Sequence, residues 1–417
     1  MQNWKIKASL FLNYFVFAIL LNSVGTVILQ VQNNYGVAQG AASILEAFKD
    51  LSIAIISFLV SSYITRIGYK NAMLIALGFV AAVCFIMPFT ASFLTTKLLF
   101  AAVGSGFALI KMSVYSTIGL VTKNEKEHIS LMNFIESFFM IGILTGYFIF
   151  SSFVDNNNPK STEWLKVYYL LGGISLLAFL LLLSAPLDES SIKNQENGSM
   201  LKDFGKMFEL MVSPIVLVFI FCAFFYVLIE QSIMSWLPTF NNKVLLLPAA
   251  LSIQMASILA GSTALGRFLA GILLKKLNWL LVLASCLVLA AALVLIAIPL
   301  AEKVSGQPIT GWSTAPIAAF IFPLIGLLLA PIYPAVNSVI LSTLPVQKHG
   351  LMSGLIIIFS ALGGTTGSII TGHIFETYDG KTAFYFSLIP MTILIICLFI
   401  FKRLQNKFKA ANPGKVH

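Results

Sequence analysis

The sequence predicts an all-α integral membrane protein with twelve transmembrane helices in two pseudo-symmetric six-helix bundles. Three observations lead there. Of the 417 residues, 10% are charged and 58% hydrophobic, and the mean hydropathy is +0.93. Soluble domains carry roughly 25% charged residues, so this chain lacks the polar surface to cover a soluble particle. Twelve apolar runs reach the ~20 residues needed to cross ~30 Å of hydrocarbon. The longest polar stretch, Leu187 to Glu209, lies near the middle with six runs on either side.

The runs fall near 8–30, 40–64, 71–91, 96–120, 128–153, 166–185, 213–238, 249–274, 279–300, 315–342, 350–373 and 382–402. In lipid each must satisfy its own backbone hydrogen bonds, which makes them helices. They show none of the short alternating strands of a barrel. The first run has no small-residue cleavage site and reads as a span, not a signal peptide. The polar middle is too rich in Lys, Asp, Glu, Asn and Ser to bury a core. The domain reading is therefore a bundle over 1–187, a cytoplasmic linker over 188–210 and a second bundle over 211–417.

The net charge of +10 does not point to nucleic acid, because the bases sit in short clusters at segment ends. With the N-terminus inside, seventeen Lys and Arg face the cytoplasm, six face outward, and Lys49, Lys111 and Arg267 remain within spans. That bias places both termini and the linker in the cytoplasm of a cell membrane, with a bacterial inner membrane the expected setting. Cys84, Cys222, Cys286 and Cys397 all lie in spans and form no CxxC pair, so no metal site or disulfide framework is indicated. The GxxxxGK[ST] loop is missing, which argues against direct ATP drive. No cofactor is expected. An enzyme would want His, Cys or Ser–Lys clusters at one depth, and a receptor or scaffold a large extramembrane domain. The expected partners of a monomeric chain are the bilayer, a small-molecule substrate and protons.

The halves repeat. Ser61-Ser-Tyr-Ile-Thr65-Arg66-Ile-Gly68-Tyr-Lys70 follows the second span, and Gly271-Ile-Leu-Leu-Lys275-Lys276 follows the eighth, 210 residues on. Gly142 and Gly146 of the fifth span match Gly363 and Gly367 of the eleventh at an offset of 221. Two related six-helix halves are the pattern of alternating-access carriers, in which a solute binds near the midplane between rigid bundles.

The turn built on Thr65-Arg66-Ile-Gly68-Tyr-Lys70 resembles the signature loop of the major facilitator superfamily, with Thr65 where that family usually has Asp. Arg66, Gly68 and Lys70, with Lys275 and Lys276 in the second half, then stand as a cytoplasmic gating loop. Tyr226-Val227 through Ser235-Trp236-Leu237, Leu265-Gly266-Arg267-Phe268, Ile332-Tyr333-Pro334 and Asn133-Phe-Ile-Glu136-Ser137-Phe138 are similar to helices of the fucose–proton symporter family. The resemblance implies proton-coupled uptake of a small polar solute, most often a sugar. Two acidic positions of that family have no counterpart. Asn22-Ser-Val-Gly25-Thr-Val carries no carboxylate, and Lys111 falls close to the acid of span four. Coupling through those positions does not carry over.

An ionisable side chain at membrane depth is costly and marks function by default. Lys111 and Glu136 both fall about 12–13 Å from the cytoplasmic face at ~1.5 Å per residue. Their equal depth on consecutive helices suggests an ion pair, broken by an anion or a proton or standing as a static bridge. Glu46, Lys49 and Asp50 share one face of span two; two acids around one base suit proton titration, while the plainer reading has Glu46 at the interface and Lys49 snorkelling. Tyr226, Glu230 and Gln231 together suit a hydroxyl-rich solute, with Trp236 either lining that site or sitting in the interface belt. Span ten brings Tyr333 and Asn337 beside Pro331 and Pro334, and a proline-bent helix at this depth suits a cavity wall. Tyr333 lies 222 residues after Lys111 in the repeat. Proton coupling is thus expected at Glu136, Asp50, Glu230 or Glu46, and substrate contact at Lys111, Lys49, Asn133, Tyr226, Gln231, Tyr333 and Asn337. Lys49 and Lys111 also fit the second reading, a proton antiporter exporting an organic anion, amino acid or drug-like metabolite.

Overall fold

In the computed structural model the described residues are 4–61, 64–122, 125–189, 205, 207, 209–274, 276–301, 309–344 and 348–411, and no strand occurs among them. Most of the expected linker and Lys275 fall outside them. Twelve long helices or helix groups follow in chain order. The first six are α1 (Trp4–Asn22, then Val24–Tyr35), α2 (Ile44–Ser61), α3 (Tyr69–Ile86), α4 (Phe93–Val121), α5 (Glu125–Ser152) and α6 (Val167–Ser184). The others are α7 (Pro214–Met234), α8 (Ala249–Leu273), α9 (Trp279–Ala301), α10 (Ala318–Thr343, in pieces), α11 (His349–Thr377) and α12 (Leu388–Ala411). Among the described residues eleven spans meet both the length and the apolar composition for crossing a membrane. The helix outside that set is α2. It is 18 residues long, but it holds Glu46, Lys49 and Asp50.

Local chemistry sets the ends. Ser92 Oγ accepts the Thr95 amide at 3.2 Å and Thr95 Oγ1 accepts the Ser92 amide at 3.3 Å. This reciprocal box starts α4. Helix α10 is the broken one, made of Ala318–Ile321, a 3-10 turn at Phe322–Leu324, Ile325–Leu329 and then Ile332–Thr343. Pro323 sits in the 3-10 turn and Pro331 caps the last piece. Pro334 falls in that piece's first turn, where a missing N–H leaves no bond unmade. The prolines therefore segment the helix instead of bending one continuous rod.

The described residues cluster into two compact units, Met1–Val37 with Ile44–Ser199, and Ala38–Ser43 with Met200–His417. In the first, α1 packs on α5 and α6, α2 on α4, and α3 on α4 and α6. In the second, α7 packs on α11 and α12, α8 on the Ile325–Leu329 piece of α10, and α9 on that piece and α12. The two patterns are the same pattern six helices apart.

Glycines show how closely the match runs. A Cβ on Gly104 would strike the Lys49 carbonyl oxygen, and one on Gly326 would lie 2.7 Å from the Leu259 carbonyl oxygen. Lys49 and Leu259 are 210 positions apart and Gly104 and Gly326 are 222 apart. Gly142 and Gly146 sit against Phe15 and Ile19 of α1, and Gly363 and Gly367 against the Phe224 and Leu228 carbonyls of α7. Without a hydrophobic force between helices in lipid, such small-residue approaches supply the packing contacts. Ile75, Phe79, Leu177, Leu281 and Leu289 are exposed, as lipid-facing residues are.

Candidate transport sites

Three polar clusters lie within the apolar bodies, two in the first unit and one in the second. In the first unit, Lys111 is exposed on α4, its ammonium 5.8 Å from the Phe107 ring centroid. It lies within electrostatic reach of Glu136 but forms no ion pair with it. Ion pairs among the described residues include Lys7–Glu127, Lys49–Glu46, Lys49–Asp50 and Lys166–Glu163. Instead Tyr115, one turn after Lys111, donates its hydroxyl to Glu136 Oε1 at 2.6 Å. The expectation of a Lys111–Glu136 bridge is corrected on this point. The expectation came from span length alone, whereas the carboxylate accepts from the nearer phenol. Tyr14 of α1 meets Tyr115 at 6.1 Å and Phe139 at 5.6 Å between ring centroids, and Phe107 meets Phe139 at 6.0 Å. This aromatic wall was missed from sequence; the phenol at i+4 from Lys111 was the signal available. Asn133 lies on α5, and its side chain is outside the described residues.

The second cluster is the α2 triad. Glu46, Lys49 and Asp50 are 0%, 6% and 8% exposed. The Lys49 ammonium pairs with Glu46 Oε1 and stands 3.4 Å from Asp50 Oδ1. The plainer readings do not hold: Glu46 is buried rather than at a wet interface, and Lys49 does not snorkel. Its ammonium stays inside because both carboxylates are there.

The third cluster belongs to the second unit. Tyr226 donates to Glu230 Oε1 at 2.8 Å. Its ring stacks on Tyr333 at 5.4 Å and 23° between planes, which joins α7 to α10. The Tyr333 hydroxyl shares a hydrogen bond with Ser360 Oγ on α11 at 2.9 Å. Asn337, one turn on, has a buried Oδ1 with no partner among the described residues. Arg267 is within electrostatic reach of Tyr226. Gln231 accepts from Ser235 Oγ at 3.2 Å. Trp236 belongs to neither of its expected places. It is fully buried, donates to Ser368 O and Oγ at 3.2 and 3.1 Å, and stacks on Phe375.

The signature turn does structural work. Gly68 has φ 86°, a left-handed value that favours glycine, and a Cβ there would lie 2.6 Å from Glu189 Oε2. The Lys70 amide donates to Glu189 Oε1 at 2.9 Å, and its ammonium to the Leu183 and Ala185 carbonyls at 3.1 and 2.6 Å. The turn thus holds the C-terminal end of α6. Arg66 lies in the one-turn helix Ile64–Ile67, its side chain outside the described residues. Lys276 is exposed.

The family model of the Major Facilitator Superfamily matches residues 10–356. The chain belongs to the major facilitator superfamily. It is a multi-pass membrane transporter and not an enzyme. Solved structures give the same fold. The nucleoside transporter NupG matches with TM-score 0.71 at 17% identity, over 95% of this chain and 98% of that one. The D-xylose-proton symporter matches with TM-score 0.73 at 12% identity, over 96% and 98%. The outward conformation of FucP, the fucose:proton symporter of E. coli, matches with TM-score 0.62 at 17% identity, over 97% and 99%. Likeness at these identities is a likeness of fold. A search of curated proteins finds no match.

Proposed function

We propose that this superfamily member is a secondary active carrier that takes up a small polar solute such as a sugar together with protons. The observation that carries the reading is the third cluster. A stacked Tyr226–Tyr333 pair offers an aromatic face, Glu230 and Ser360 stand at its hydroxyls, and Asn337 Oδ1 is a buried acceptor left for a donor. A buried unsatisfied acceptor costs about 1–3 kcal/mol, which a solute hydroxyl would recover. Two of the fold relatives carry fucose or xylose with protons and a third carries nucleosides, in keeping with a hydroxyl-bearing solute. We place the bundles at 1–187 and 211–417, a cytoplasmic linker at 188–210, both termini inside a bacterial inner membrane, and a monomer as the working unit.

Lys111 favours the second reading, a proton antiporter for an organic anion, amino acid or drug-like metabolite. It is exposed and close to Glu136 without being bonded to it. A thermal-shift screen of purified protein across sugars, nucleosides, amino acids and organic acids separates the two. Stabilisation by a sugar or nucleoside, lost in Asn337→Ala and kept in Lys111→Ala, supports the first reading. Stabilisation by anions alone, lost in Lys111→Ala, replaces it with the second.

A further inference from the structure

We infer that the Glu46–Lys49–Asp50 triad of α2 is a proton-binding site, in which Asp50 takes up and releases the proton and Lys49 moves between its two acid partners. This deepens the carrier reading by naming the site of the coupling ion, and rests on that reading only for the step from proton binding to transport.

The triad holds two carboxyls and one ammonium, all nine-tenths or more buried. Fully ionised, it carries one negative charge more than positive. Burying charge that its partners do not balance costs several kcal/mol, and one proton restores balance within the triad. Asp50 is the more accessible acid, and its contact with Lys49, at 3.4 Å, is the looser of the two. Hydronium gives its proton to the Asp50 carboxylate, and Lys49, still an ammonium, settles on Glu46. On release the proton passes back to water and Lys49 again bridges both carboxylates.

The repeat supplies an internal control against a purely structural role. Positions 256, 259 and 260 of α8, each 210 residues on, hold Ala256, Leu259 and Ala260. They make the same close helix approach, with Gly326 against the Leu259 carbonyl where Gly104 meets that of Lys49. Packing a second-position helix on a fourth-position helix therefore needs no charge, and the three ionisable groups are an addition to that contact. Helix α4, packed on α2, carries two charged side chains. Lys97 stands 4.9 Å over Phe93 and 5.9 Å from the Phe48 centroid, and Lys111 stands over Phe107. The Val24–Tyr35 piece of α1 brings no charged residue; its polar groups include buried Gln30 and Gln32 and the phenol of Tyr35.

Infrared difference spectroscopy of the purified full-length protein in D2O, between acid and alkaline buffers, reads the proton directly. The wild type is expected to show a titrating C=O band of a buried protonated carboxyl, on the high-frequency side of the band that the water-exposed carboxyls share. Asp50→Asn and Glu46→Gln, each leaving one acid to one base, should lose it, Lys49→Met should enlarge it, and Glu163→Gln, at an exposed acid outside the triad, should leave it in place. A wild type without a titrating band, or an Asp50→Asn spectrum with the band intact, overturns the inference. Gain in one variant and loss in two others cannot come from misfolding alone. Proteoliposomes with an imposed pH gradient, loaded with xylose, fucose or uridine, test the rest. If the band behaves as expected and no gradient-driven flux of any of them occurs, the proton site stands and the uptake reading falls. Flux in the wild type that Asp50→Asn still couples to the gradient overturns the inference and leaves the carrier standing.

Discussion

The Tyr115 hydroxyl donates to Glu136 Oε1 across 2.6 Å, joining α4 to α5 where equal depth had suggested Lys111 and Glu136 would meet. A hydrogen bond to a charged group contributes about 1.5–3 kcal/mol. Tyr115→Phe should therefore lower the thermal midpoint in detergent. A double-mutant cycle with Glu136→Gln should return a coupling energy of at least about 1 kcal/mol. The same cycle between Lys111→Met and Glu136→Gln should return less. A larger value for the lysine cycle would restore the ion pair and displace the phenol.

Gly104 and Gly326 each face a carbonyl of the neighbouring helix with no room for a methyl group. Gly104→Ala and Gly326→Ala should each destabilise by about 1–3 kcal/mol, the usual cost of overpacking. Gly119 lies on the same α4 with nothing within 4 Å of an added Cβ. Gly119→Ala should be neutral or stabilise, by up to about 1 kcal/mol of helix propensity. Equal effects at positions 104 and 119, read by thermal unfolding, would remove the close approach from the account of the repeat.

Lys70 places its ammonium on two carbonyls at the C-terminal end of α6, where a cation also meets the negative end of the helix dipole. Lys70→Met should cost on the order of 1 kcal/mol. Lys276→Met, removing an exposed side chain, should cost less than half of that. Parallel thermal unfolding of the two variants decides it, and equal losses would mean that the two loops do the same work.

Asp379 caps the short helix Gly380–Tyr385, accepting the Thr382 amide at 2.6 Å. That backbone N–H bond holds its carboxyl below the ordinary carboxylate range. With the folded value lowered, the cap's stabilisation is complete above the ordinary range and fades as pH falls through the lowered value. The side chain is exposed enough for solvent to screen the effect, so the local gain is about 1 kcal/mol or less. Hydrogen exchange of the Thr382 amide should speed up in Asp379→Ala at neutral pH, and should match the wild type in strong acid. An unchanged neutral rate would count against the cap.

Much of the site was legible and part was not. Glu46, Lys49 and Asp50 share a face because of their spacing, and so do Tyr226 and Glu230, so these contacts follow from one helix alone. The Tyr226–Tyr333 stack, the Tyr333–Ser360 bond and the Tyr115–Glu136 bond each need two helices at a particular rotation. Span length places a residue along the membrane normal but says nothing of its azimuth. That is why Glu136 was assigned to Lys111, and why Trp236 was placed at a belt or a site rather than in the core against Ser368 and Phe375.

By itself, the sequence settled the membrane class, the helical spans and the glycine positions that repeat between the halves. Hydropathy, run length and small residues at fixed offsets are local properties, and lipid lets few structures satisfy them. Tertiary packing alone decided which buried groups meet, since a partner is chosen by the turn of one helix against another, and no single helix encodes that.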